Sequence, residues 1–133
     1  MNIGMDYSDD FLIGHSGIDR EHRSLFEKAQ RILQQFLNNS PRIQIVQGMR
    51  DLHSDLQNLF TREEAILDAL DYPRLAIQKE QHRSIMTQAT RTLDHYEAQS
   101  MSFGDLYSLL HGVIVKGHFL SEDMRIKPFL GNQ

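Results

Sequence analysis

The chain contains no cysteine in its 133 residues. This absence excludes disulfide bonds, and it excludes thiolate as a metal ligand. A metal ion in this protein would have to be held by nitrogen and oxygen atoms.

The sequence also lacks basic runs and long apolar runs. Its formal net charge is −4, and no segment alternates basic with aromatic residues. Nucleic acid is therefore not an expected partner. The longest apolar runs are a few residues, against the roughly 20 that a membrane helix needs, and the first residues lack a signal-peptide pattern. We therefore expect a cytoplasmic protein that binds neither nucleic acid nor a membrane.

Strand signals, internal repeats and interdomain linkers are absent as well, which predicts one domain over residues 1–133. Apolar residues instead recur at helical spacing in four segments. Ser40 and Pro41 are a start signal for the second, with Ser40 as N-cap, and Ser102 with Asp105 resembles a capping box for the fourth. The pattern predicts an all-α fold, an up-down-up-down four-helix bundle with an extended N-terminal arm. The expected elements are the arm 1–17 and helices at about 18–38, 41–70, 74–98 and 103–124.

Polar residues fall on the apolar face of every predicted helix, among them His22, Glu63, His82 and His118 in chain order. In the predicted bundle these four lie near the same end, at depths of about 6 to 12 Å when each residue advances about 1.5 Å. Asp123, five residues after His118, reaches the same layer from the final turn of the fourth helix. The sequence therefore predicts one polar layer within an apolar core.

Burying these groups without compensation would cost several kcal/mol per charge. They must pair with one another, admit water or bind a cation. Three imidazoles and two carboxylates suit iron, manganese or zinc. The alternative is a buried network of histidine and glutamate with a purely structural role.

Several motifs occur in order over nearly the whole chain. They are Tyr7–Gly14, Ile18–Phe26, Phe60–Glu64 followed by Tyr72-Pro73, and His118–Asp123. Together they resemble the hemerythrins, specifically the bacterial single-domain kind, although the arm of that family usually begins with tryptophan where this chain has Tyr7.

The resemblance implies a four-helix bundle around two non-heme irons that bind dioxygen end-on at one iron. Five histidines and two bridging carboxylates hold the irons in that family. Carried over by position, His22 is a ligand of one iron, His82 and His118 are ligands of the other, and Glu63 and Asp123 are the bridges.

Two of the family's five histidines are replaced here. Leu59 stands at one position and offers no donor atom to the iron of His22. Gln78 stands at the other, where its carbonyl oxygen is a weak substitute. His82, His118 and one carboxylate still form a set that suits non-heme ferrous iron with open positions.

The remaining histidines are given no place in this site. His53 lies around its helix from the apolar face, and His15 and His95 lie in the arm or off the apolar faces. His111 faces inward but about 10 Å deeper than His118, which predicts a structural role.

The predicted function is that of a hemerythrin-like iron protein that binds or senses dioxygen or a related small oxidant, with a two-iron or single-iron centre or another first-row metal. No acid–base pair or substrate pocket can be identified, so we do not expect an enzyme, and the sequence points to no protein partner. An oxidase or peroxidase that uses open coordination positions is chemically feasible. A further alternative is a degenerate, metal-free fold that serves as a regulatory or protein-interaction module. Leu59 favours it, and the retained inward Glu63 opposes it.

Overall fold

The computed structural model describes residues 12–98, 101–112, 118 and 123–130. Their regular structure is helical throughout and includes no β-strand, which confirms the predicted all-α class for this part of the chain. The α-helices are α1 (Ser16–Leu37), α2 (Arg42–Ala69), α3 (Leu75–Ala98), α4 (Phe103–Tyr107) and α5 (Lys127–Leu130), and a 3₁₀ turn, Asp123–Ile126, precedes α5.

The junction between α1 and α2 differs from the prediction by one residue. Pro41 rather than Ser40 is the N-cap of α2, because its ψ of 139° keeps it extended and outside the helix. The backbone N–H of Ser40 donates instead to the carbonyl of Gln35 at 2.9 Å. Ser40 therefore closes the end of α1, and the prediction of Ser40 as a cap of the second helix is wrong.

Contacts between neighbouring helices show that they run antiparallel. On α1 and α2, Glu21 pairs with Arg62 and Lys28 pairs with Asp55, so residue numbers rise along one helix as they fall along the other. Such exposed ion pairs add little stability, but they record the direction of the chain. The corresponding pairs between α2 and α3 are His53 with Thr90 and Glu64 with His82.

The fourth predicted helix is not one regular α-helix. It begins at Phe103 as expected, where the Ser102 hydroxyl accepts a hydrogen bond from the Asp105 N–H at 3.1 Å. Residues 108–112 and 118 then have π-type geometry, and the chain continues through the 3₁₀ turn into α5, beyond the predicted end near residue 124. Residues 113–117 and 119–122 lie outside the described part.

The segment before α1 folds back onto the helix. The Asp19 carboxylate accepts hydrogen bonds from the backbone N–H groups of Ile13, at 2.8 Å, and Gly14, at 3.2 Å. Gly14 has φ of +99°, a conformation that favours glycine. His15, to which no role was assigned, caps α1 through Nδ1, which accepts from the Ile18 N–H at 3.2 Å. Most of the predicted arm, residues 1–11, lies outside the described residues.

Two apolar clusters form the core. The main cluster joins α1, α2, α3 and α4 and includes Leu33 and Leu56, both fully buried. The outer cluster comprises Ile13, Ile18, Leu67, Tyr72, Ile126 and Leu130. Among the described helices, none is both long and apolar enough to cross a membrane.

Replacing Leu56 by alanine should destabilise the protein by about 2–5 kcal/mol, because a fully buried side chain leaves a cavity. Urea unfolding of the metal-free protein measures the effect. The matched control on the same helix is Ile43→Ala, since Ile43 is 77% exposed and its loss should change the free energy of unfolding by less than about 0.5 kcal/mol. Equal losses in the two variants would contradict this description of the core.

Candidate metal centre

A layer of buried polar residues lies between the two apolar clusters. On α1 the layer falls between Ile18 and Leu25, and on α2 it falls between Phe60 and Leu67, residues that belong to opposite clusters. Each of its members is at most 2% exposed. They are His22, Glu63, Gln78, His82, His118 and Asp123.

All five residues that the sequence predicted as metal ligands therefore belong to this layer. One donor atom from each of Glu63, His82, His118 and Asp123 lies within 4.8 Å of the others. His22 lies beside the two carboxylates, with Nε2 3.5 Å from Glu63 Oε2 and 3.3 Å from Asp123 Oδ2. The carboxylates thus separate His22 from the other two histidines.

The two histidines of the cluster face each other through Nε2 at 3.0 Å. Their other ring nitrogens contact oxygen acceptors, since His82 Nδ1 lies 2.8 Å from Glu64 Oε2 and His118 Nδ1 lies 2.9 Å from Gln81 Oε1. A carboxylate and an amide oxygen can only accept, so each Nδ1 carries the hydrogen and each Nε2 presents a lone pair when the ring is neutral. Two lone pairs at this distance repel unless a proton or a cation lies between them.

The separations within the cluster fit a shell of metal ligands. An octahedral ion with bonds of about 2.1 Å has neighbouring donors about 3.0 Å apart and opposite donors about 4.2 Å apart. The two Nε2 atoms are 3.0 Å apart, and His118 Nε2 is 3.1 Å from Asp123 Oδ1. The four donor atoms require only small side-chain movements to surround one ion.

Three of the four carboxylate oxygens in this layer receive no hydrogen bond from a described residue. Across the described residues, neither oxygen of Glu63 nor Oδ2 of Asp123 receives a hydrogen bond. A buried acceptor without a partner costs about 1–3 kcal/mol, and more when it is charged. A cation beside these oxygens would remove that cost, so the donor set fits a metal.

Burial and mutual contact shift the pKa values of the layer. Burial, together with Asp123, raises the pKa of Glu63 to about 7, although His22 opposes the shift. Burial would also raise the pKa of Asp123, but His118 and His22 hold it well below its usual range. Asp123 is therefore ionised at neutral pH.

The three histidines respond differently. Burial and the proximity of His118 lower the pKa of His82 to about 4. Burial would lower the pKa of His22 too, but Asp123 and Glu63 raise it to about 10. The pKa of His118 is likewise raised, by Asp123 and Glu63 against burial. Without a metal, protonated His22 supplies positive charge to the carboxylates, and the raised pKa of His118 favours its charged form beside Asp123.

Phe60 holds the rings of the two facing histidines. It stacks on His82 with ring centroids 3.9 Å apart and an interplanar angle of 6°, and it meets His118 edge-on at 5.4 Å. Glu64 and Gln81 hold the same rings through Nδ1, as the outer partners of metal-bound histidines commonly do.

Sequence reasoning did not identify Glu64 and Gln81. Each is the chain neighbour of a predicted ligand, Glu63 or His82, and adjacent residues on a helix point about 100° apart, off the inward face. The side chains of Glu64 and Gln81 lie on the flanks of their helices and point toward the neighbouring helix rather than toward the core. The pattern of apolar residues therefore gave no signal for them.

Two other histidines lie outside the cluster. His53 Nε2 is 2.9 Å from Thr90 Oγ1 on the neighbouring helix. His111 stacks on Tyr107, with ring centroids 5.0 Å apart. Neither belongs to the group of donors that could share one ion.

Metal binding should release protons near pH 7. Glu63, with a pKa of about 7, is partly protonated at neutral pH, and the raised pKa of His118 lets this imidazole keep its proton to a higher pH than a free histidine, so the ion must displace protons from both. His82, with a pKa of about 4, has no proton to lose there. Affinity should therefore rise with pH, about tenfold per unit for each proton released. Titration calorimetry with Mn²⁺ in buffers of different ionisation enthalpy counts the protons, and an affinity independent of pH would contradict the prediction.

Comparisons with protein-family models, with curated proteins and with solved structures find no match to this chain. The geometry and chemistry of the polar layer and the motifs in the sequence are therefore what indicate a function.

Proposed function

We propose that this chain is a hemerythrin-like non-heme iron protein that binds dioxygen or a related small oxidant. The observation that carries the proposal is the pair of Nε2 atoms of His82 and His118, which face each other at 3.0 Å while both Nδ1 atoms contact acceptors. Ionised Asp123 and buried Glu63 lie within reach of the same point. This donor set is typical of non-heme iron.

The proposal includes a four-helix bundle as the scaffold. Three long helices, α1 to α3, follow one another in antiparallel order, and the first turn of α4 packs against α1. The segment after α4 brings His118 and Asp123 to the end of the molecule where α1 and α3 begin. This arrangement supports a fourth, less regular helical member of the bundle.

His82, His118, Asp123 and Glu63 have distinct roles in this proposal. His82 and His118 bind the ion through Nε2, and Glu64 and Gln81 fix their ring orientation from the other side. Asp123 and Glu63 offset the charge of the ion. The apolar clusters cover the layer on two sides. Iron held by four protein donors would supply up to two open coordination positions for a small oxidant.

We propose one tightly bound ion per chain rather than two. A second ion beside His22 would share the carboxylates of Glu63 and Asp123 but would have only one nitrogen ligand of its own. Leu59 lies one turn before Glu63 on α2, is 1% exposed and belongs to the main apolar cluster. It provides no donor atom, so the second position is short of ligands.

A metal-free regulatory or interaction module is the second candidate. The observation that favours it is the set of ion pairs within the layer, in which His22 and His118 both lie within 3.5 Å of a carboxylate oxygen. Protonated imidazoles could therefore neutralise Asp123 and Glu63 without any metal. Metal content separates the two candidates.

Elemental analysis after anaerobic loading with ferrous iron should give about one iron per chain, and admitting air should change the visible absorption spectrum. His118→Ala should abolish binding, because it removes one of the two facing nitrogens. The loaded wild-type protein should melt at a higher temperature than the metal-free form, by the equivalent of about 2.7 kcal/mol at a free iron concentration of 100 times Kd.

The control for this experiment is His53→Ala, which removes a histidine outside the layer and should leave the iron content unchanged. A folded wild-type protein without iron would overturn the iron proposal and favour the interaction module. Unchanged iron content in His118→Ala would remove His118 from the site.

Leu59→His should raise the iron content from about one to about two per chain. The new imidazole would give the ion beside His22 a second nitrogen ligand. The matched control is Asn58→His, which adds a histidine at an exposed position of the same helix and should leave the content near one. A content of one in Leu59→His would show that the histidine side chain cannot reach the second position.

A further inference from the structure

Gln78 is a buried amide within the polar layer that the proposed function does not use. It lies in the first turn of α3 and is fully buried. Residues four apart on a helix lie on the same face, so Gln78 shares the inward face of α3 with His82. An amide in such a place needs partners for both its nitrogen and its oxygen.

The nitrogen has a partner in Asp123. Gln78 Nε2 donates a hydrogen bond to Asp123 Oδ1. This contact fixes the orientation of the amide, because rotating it by half a turn would place its oxygen against a carboxylate oxygen, and both atoms are acceptors. Gln78 therefore holds Asp123 by one oxygen.

The oxygen of the amide has no such partner. Gln78 Oε1 is buried and receives no hydrogen bond from any described residue. The oxygen and nitrogen of one amide are only about 2.2 Å apart. Oε1 therefore lies within about 5 Å of Asp123 Oδ1, close to the donor atoms that could share an ion.

We propose that Gln78 Oε1 is a further ligand of the metal ion and that it sets the preference of the site among metals. This inference rests on the proposed function, in which His82, His118, Asp123 and Glu63 hold one ion. A neutral amide oxygen extends that set to two nitrogens and three oxygens. Coordination of the ion gives Oε1 a partner, while the hydrogen bond from Nε2 keeps Asp123 in place.

The added oxygen favours one class of metal. Zn²⁺ in proteins is most often four-coordinate and prefers nitrogen and sulfur, whereas Mn²⁺ accepts more ligands and prefers oxygen. Fe²⁺ tolerates mixed nitrogen and oxygen shells. Gln78 thus disfavours Zn²⁺ relative to Mn²⁺ and Fe²⁺.

Two substitutions separate coordination from simple positioning of Asp123. Gln78→Leu removes both the oxygen and the N–H and adds no other donor atom. Gln78→Glu keeps an oxygen but loses the N–H that reaches Asp123. The measurement is the ratio of Mn²⁺ to Zn²⁺ affinity, with free Mn²⁺ followed by electron paramagnetic resonance and Zn²⁺ followed by chelator competition.

If Gln78 is a ligand, the affinity ratio should fall at least about tenfold in Gln78→Leu and recover in Gln78→Glu. If the amide only positions Asp123, both variants should lose the same factor and Gln78→Glu should show no recovery, which would overturn the proposal. The matched control is Gln88→Leu, an exposed position on the same helix that should leave the ratio unchanged.

A crystal structure of the Mn²⁺-loaded wild-type protein gives a direct answer even if a variant does not fold. A distance of about 2.2 Å between Oε1 and the ion supports coordination, and a distance beyond about 3 Å overturns it. Wild-type protein that binds neither Mn²⁺ nor Fe²⁺ would overturn the proposed function itself. Normal binding with an unchanged affinity ratio in Gln78→Leu would overturn only the role of Gln78.

Discussion

The rest of the structure depends on the need to neutralise carboxylates that are buried in an apolar core. Glu63 and Asp123 are fully buried. A charge in such a place is tolerated only when opposite charge lies next to it. His22 and His118 contact these carboxylates from opposite sides, and their shifted pKa values follow from that contact. A proton on each imidazole, or a metal ion in place of one of these protons, satisfies the same requirement.

This requirement constrains which side chains can surround the layer. The ring of His82 is stacked on Phe60 and held at Nδ1 by Glu64, so Nε2 has one fixed direction. His118 is held in the same way by Gln81. These restraints on both rings keep the two Nε2 atoms at a distance where their lone pairs repel when neither atom carries a proton or a metal ion. The site is therefore preorganised for a cation.

Much of the fold could be predicted from the sequence, because helical periodicity depends on which residues are apolar. The same periodicity identified His22, Glu63 and His82 as inward, since a polar residue on an apolar face is visible without a structure. The cap at Ser40 was misassigned because the extended backbone of Pro41 decides where α2 begins, and two adjacent start signals do not distinguish these positions. The change from α-helical to π-type geometry after Tyr107 could not be predicted, because the pattern of apolar residues does not mark it.

The outer partners of the histidines could not be predicted for a different reason. Glu64 and Gln81 act across the gap between two helices, so their roles depend on how the helices are rotated against each other. A single sequence carries no measure of that rotation. Gln78 is an intermediate case, because its inward position could be predicted from periodicity, whereas its hydrogen bond to Asp123 and the lack of a donor to Oε1 among the described residues depend on how the helices are placed.

The outer apolar cluster couples the entry and release of a metal ion on its side of the polar layer to local unfolding. Ile13 precedes α1, while Ile126 and Leu130 follow the layer in the chain, and these distant segments pack together on its outer side. The Asp19 carboxylate holds the segment that contains Ile13 by accepting hydrogen bonds from two of its backbone N–H groups. An ion that passes through this side of the layer can therefore enter or leave only when the cover opens, and the rate of that exchange is set by the free energy of the opening as well as by the ligands themselves.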